Sequence, residues 1–81
     1  MYNVGMKTII LKNINTNLDV LKEITIKDNH TEIWTLNQLI SKYQMLLHYL
    51  EKEIVDDIEK FHSIVDEVQE EANYFITKYN M

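Results

Sequence analysis

The sequence contains no cysteine, no proline, no arginine and a single glycine, Gly5, in 81 residues. Each absence removes a class of structure or chemistry. Without cysteine there is no disulfide to hold a small fold and no thiolate to hold a metal, and a reducing compartment is compatible with that composition. With one glycine there is no Gly-rich loop to cradle a phosphate, and without proline nothing breaks a helix from within. The missing arginine removes the side chain best suited to grip phosphates and guanines by two-point contacts. Because the net charge is −5, direct nucleic-acid binding is not expected. No apolar run approaches a membrane span, and the N-terminus lacks the layout of a signal peptide, so a cytoplasmic location is expected.

What is present is one long periodic stretch. From residue 35 to 79 apolar side chains recur at alternating steps of four and three: Leu36, Ile40, Tyr43, Leu47, Leu50 and Ile54, then Ile58, Phe61, Val65, Val68, Ala72, Phe75 and Tyr79. This is a heptad seam, the pattern that lets helices wind around one another. The two runs join by a step of four where three is due, a stutter that unwinds a coiled coil locally without ending it. Thr35 and Gln38 have the spacing of a capping box, and Trp34 and Leu39 that of a hydrophobic staple, so a helix start at Thr35 is expected.

A continuous helix of that length extends roughly 65–70 Å, whereas a compact domain of this size has a radius of gyration of about 12 Å. Exposing the far half of the seam forfeits on the order of 8–15 kcal/mol of burial. The expectation is therefore a homodimer through the seam. The alternative is a helical hairpin broken near Asp56-Asp57, with Asp56 as cap and Glu59 at its third position. Against it stands the lack of Gly or Asn to make a tight helix–helix turn.

The first 34 residues read as β-rich, with residues 1–3 frayed. Val4, Met6, Thr8 and Ile10 alternate with Ile9 and Leu11, as in a strand covered on both faces. Asn13-Ile14-Asn15-Thr16-Asn17 is turn-like by residue type. Residues 18–23 are ambiguous: Leu18, Leu21 and Ile24 fit a helix capped by Asn17, but Val20 and Ile24 also fit a strand. Residues 23–27 and 30–34 can pair across Asp28-Asn29, residue types that tolerate a two-residue hairpin turn. The competing reading starts a helix earlier, with Asn29 as cap and Glu32 answering it. The predicted fold is thus a single α+β domain, a small antiparallel sheet of two or three strands followed by one long amphipathic helix in a dimeric, coiled-coil-like packing.

Candidate chemistry is sparse. Glu59 and His62 have the Glu-x-x-His spacing of di-iron bundles, with Asp66 one turn on, but Phe61 occupies the inward position between them; a solvated flank is the expectation, and no metal or other cofactor. His30, His48 and His62 show no metal spacing among themselves. No Ser–His–acid arrangement is evident, and so small a chain leaves little room for a pocket; catalysis is not expected.

Charge is uneven. Residues 51–71 carry nine acids against Lys52 and Lys60. As a coiled-coil exterior this is ordinary; as an electronegative ridge it can dock a basic partner. Glu59, Asp66, Glu67, Glu70, Glu71 and Tyr74 are the candidate partner surface. The expected function is a small acidic protein–protein interaction module, an inhibitor or modulator of the phage or mobile-element accessory kind. A structural self-assembly subunit and a transcriptional regulator or antitoxin are the alternatives.

Overall fold

Ile10, Ile14, Leu18 and Leu21 recur at steps of four, four and three, and all four are buried. They form the inner stripe of a helix, α1 (Val4–Glu23), in a computed structural model that describes residues 4–79. The expected fraying of residues 1–3 lies outside the described residues. The strand expected over residues 4–12 is not formed. Its alternation runs over few residues, whereas the helical spacing of core-facing residues runs from Met6 to Leu21. Nor is there a turn at Asn13–Asn17: Ile14 is 0% exposed, and the polar residues around it fall on the outer and flanking positions of α1. An asparagine costs a helix only about 0.5–0.7 kcal/mol relative to alanine, less than one buried isoleucine returns.

The expected hairpin is also replaced. Asp28 does adopt the left-handed conformation (φ 62°), but as part of the connection between two helices. Asn29, extended at φ −134°, caps α2 (His30–Glu51), its side chain accepting from the Glu32 N–H at 3.0 Å. The helix therefore starts five residues before Thr35. Thr35 does not cap; its hydroxyl donates to the Thr31 carbonyl one turn back, at 2.9 Å, the usual mid-helix arrangement of a threonine. Trp34 is 65% exposed and staples nothing. Ile24 and Ile26, in the connection, fold in against the core.

The long helix is divided. α2 ends at Glu51, and α3 (Ile58–Tyr79) begins after six residues. The Ile54 N–H donates to the Tyr49 carbonyl at 3.0 Å and the Glu53 N–H to that of Leu50 at 3.3 Å. Together they make a Schellman motif with Glu53 in the left-handed position (φ 55°) that glycine normally takes. Seating a non-glycine residue there costs about 1–2 kcal/mol, small beside the burial gained by folding back. Asp57 caps α3, accepting from the Lys60 N–H at 3.1 Å. The break falls at the stutter, one residue later than an Asp56 cap requires.

Two polar contacts fix the directions of the helices. Lys7, early in α1, pairs with Glu53 beyond the end of α2 at 3.2 Å, and Glu32, early in α2, meets Lys78 late in α3 at 2.5 Å. Successive helices are antiparallel, giving an up-down-up three-helix bundle of 46 × 21 × 17 Å with a radius of gyration of 13.4 Å. No strand occurs among the described residues. The α+β architecture with one continuous helix is thus corrected to an all-α bundle.

One core runs through the bundle. Leu36, Leu39, Tyr43, Leu46 and Leu50 of α2 meet Phe61, Val65, Val68, Ala72 and Phe75 of α3 and the α1 stripe. Tyr43 is fully buried by residue, and its phenol accepts from the Asn17 side-chain amide at 3.4 Å. Burial raises its pKa above the ordinary value, and the Asn17 hydrogen bond works against that rise.

Glu53 supplies a direct test of the α2–α3 turn. Glu53→Gly relieves the left-handed strain and loses only an exposed ion pair with Lys7, worth little. The variant is expected to gain about 0.5–1 kcal/mol in urea unfolding. A loss of stability on this change contradicts the turn described here.

Candidate functional site

The seam residues divide into two groups. On α3, Phe61, Val65, Val68, Ala72 and Phe75 are buried, and Ile58 and Tyr79 are partly buried against the core. On α2, Leu36, Tyr43 and Leu50 are buried, but Ile40 and Leu47 lie at the margin, and Leu39 and Leu46 take the central places. Ile54 falls in the connection and stays exposed. The seam is therefore covered largely by α1 and by its own two halves within one chain. The two helices of 22 residues are each about 33 Å long.

The candidate partner residues Glu59, Asp66, Glu67, Glu70, Glu71 and Tyr74 are all exposed along the outward side of α3. This follows from the period: with Phe61, Val65, Val68, Ala72 and Phe75 facing in, Glu59, Asp66, Glu67, Glu70 and Tyr74 fall on the opposite arc and Glu71 on the flank beside α2. Two of the acids are engaged, Glu71 with Lys42 of α2 at 3.3 Å and Asp66 with His62 at 3.7 Å. Glu59, Glu67 and Glu70 form no ion pair among the described residues. No group of three or more metal-ligating side chains comes together among those residues either, and Glu59, His62 and Asp66 stay on the solvated flank.

A surface not read from the sequence lies beside this acidic face. Met45 and Tyr49 are one turn apart on α2, Ile64 stands on α3, and Ile54 sits at the end where the helices join. These four are 40–57% exposed. Tyr49, Ile54 and Ile64 line an open cleft of about 510 Å³, floored by Phe61 and edged by Asp56 and Asp57. Ile64 also lines a neighbouring depression of about 300 Å³ with Met45, Leu46 and Val68, edged by Glu67 and the Lys42–Glu71 pair. The two share Ile64 as a wall, so exposed apolar side chains with a largely acidic rim lie in two adjoining depressions along the α2–α3 junction. Trp34 lies eleven residues before Met45, hence on the same side of α2, and is exposed too.

At the other end, the junction is closed by a polar clasp. The Glu32 carboxylate accepts from Lys78, from the Tyr74 hydroxyl at 3.4 Å and, by its second oxygen, from the Tyr79 hydroxyl. Lys78 Nζ also stands 5.4 and 5.3 Å from the Tyr74 and Tyr79 ring centres, within cation–π range. The clasp uses Glu32 in place of the reciprocal capping role its position suggested. The Lys78 hydrogen bond, followed by that from Tyr79, holds the Glu32 carboxyl below its ordinary value. Glu32 in turn raises Lys78 and Tyr79 above theirs.

The chain matches no family model, no curated protein and no solved structure. No helix of the described residues is long and apolar enough to cross a membrane. Functional reading therefore rests on the fold and its surfaces.

The clasp sets a pH dependence. A depressed Glu32 pKa means its contribution is complete above the ordinary value of 4.5 and is lost as pH falls through the lower folded value. The raised Lys78 and Tyr79 values act at the other end: their contribution is complete below their ordinary values of 10.5 and 10.0, and fades as pH rises through the folded ones. The stability difference between the wild type and Glu32→Gln should be widest near neutral pH and shrink below about 4.5 and above about 10. A constant difference across a urea-melt pH series means that the clasp contributes nothing ionic.

Proposed function

We propose that this chain is a non-enzymatic protein-binding module, a small acidic bundle that docks on another protein and modulates it. One observation carries the reading: exposed apolar side chains on α2, α3 and their connection gather in two adjoining depressions beside the acidic outer side of α3. Apolar surface gathered in one place and bordered by charge is the usual form of a docking face, whereas scattered exposed leucines need no explanation. Carboxylates on the rim add steering toward a basic partner and make association salt-sensitive. An inhibitor or modulator of the accessory kind made by phages and mobile elements fits the size and the charge. A cytoplasmic setting belongs to the same proposal, and the cysteine-free sequence is compatible with it.

Glu67 and Glu70 provide the test, because both are exposed and neither is in an ion pair within the described chain. Wild-type protein and a Glu67→Lys/Glu70→Lys variant are used as bait in the same cell extract, with the melting curve of each recorded. A partner retained by the wild type and lost from an equally stable variant supports the proposal. Identical recovery of a partner on both baits shows that the acids only solvate the helix and removes their part in docking; the absence of any partner on either bait overturns the reading.

A further inference from the structure

Resting on that reading, we infer that the α2–α3 cleft receives an amphipathic helix of the partner, with apolar anchors one turn apart and lysine or arginine along its flanks. Shape is the first ground. The strip from Met45 through Ile64 to Ile54 follows the last turns of α2 beside α3, over about 13 Å. Anchors at i, i+4 and i+7 of a helix laid lengthwise span about 10 Å and match that length. A single deep pocket for a small ligand is not what the residues make. Tyr49 offers a ring with a polar tip, and Met45 an unbranched, adaptable side chain, both suited to accepting apolar anchors.

Charge is the second ground, and it chooses the occupant. Asp56, Asp57, Glu67 and Glu71 line the two joined depressions against Lys42 and Lys60. Lys42 is already neutralised by Glu71 at 3.3 Å, so the rim is left with an excess of carboxylate. A second copy docked face to face through this patch brings one acid-rich rim against another, at a cost that grows as the interface dries. A helix with basic flanks meets the same carboxylates with opposite charge. The open sides of the cleft leave those flanks in the solvated rim, where long lysine or arginine side chains reach out without burying a charge.

The experiment uses the full chain and designed probes. Three fluorescein-labelled peptides of about 18 residues, roughly 27 Å as a helix, are titrated by anisotropy. One carries leucines on one face and lysines on the other; the second replaces each lysine by glutamate; the third scrambles the first to abolish the apolar face. The lysine amphipath should bind, and the other two should bind at least about ten-fold more weakly. Met45→Ser/Ile54→Ser, two changes at exposed positions whose variant is checked by its melting curve, should weaken the first peptide by about ten-fold or more. Equal binding of the scrambled peptide, or no effect of the double variant, overturns the cleft as the site. So does a dimer, seen by light scattering, that the double variant dissolves, because the occupant is then a second copy. If the extract experiment finds a partner that depends on Glu67 and Glu70 but is indifferent to Met45 and Ile54, the binding function stands and this assignment of the cleft falls alone.

Discussion

Everything in this fold depends on covering the apolar side of α3. That helix has the cleanest stripe in the chain, five buried residues at strict steps of four and three, and by itself it is only an amphipathic rod. Tertiary cover of such an amphipathic face supplies most of a helix's stability in a protein. α2 doubles back to cover one flank, and α1 lies in the remaining groove. The two reversals, at residues 24–29 and 52–57, are therefore structural necessities even though the sequence has no glycine or proline to place there. Asp28 and Glu53 adopt left-handed conformations instead. A strain on the order of 1–2 kcal/mol at each is acceptable where the alternative is an exposed stripe.

The same constraint shows which parts of the fold were legible. The buried positions of α3 coincide with the expected stripe, because Phe61, Val65, Val68, Ala72 and Phe75 keep unbroken steps of four and three, whereas the neighbouring Ile64 and Ile76 have no such run of their own. In α2, Leu39-Ile40 and Leu46-Leu47 are adjacent apolar pairs, so two registers score equally, and only contact with two neighbouring helices decides for Leu39 and Leu46. The step of four between Ile54 and Ile58 was read as a coiled-coil irregularity, whereas it marks the break itself. Turn-forming residue types misled most. Asn13, Asn15 and Asn17 read as a loop, but they lie on a helix whose inner positions are filled by Ile14 and Leu18. Asn17 even serves the core by reaching the Tyr43 phenol. The short alternation over residues 4–12 suggested strand, but it yields to the buried stripe of Ile10, Ile14, Leu18 and Leu21.

The candidate surface was half legible for a similar reason. Once the inward residues of α3 are known, its outward acids follow from the period alone. The apolar strip beside them needs knowledge of which helices are neighbours. Met45, Tyr49, Ile54 and Ile64 are spread over twenty positions, and only the fold-back at Glu53 brings them to one junction. The proposed function inherits this dependence. A continuous helix scatters those side chains, and the docking face exists only if α2 and α3 lie side by side.

That juxtaposition is directly measurable, and the lack of native cysteine makes the experiment simple. Spin labels are attached at Gln38→Cys and Asn73→Cys, both exposed positions near the clasped end, and doubly labelled protein is diluted with unlabelled protein. Because Glu32 touches Lys78 and Lys42 touches Glu71, the bundle predicts a short dipolar distance, roughly 20 Å for two labels on neighbouring helices. An unbroken helix from residue 38 to 73 sets the labels about 50 Å apart, and a distribution centred there contradicts the fold and the docking face together.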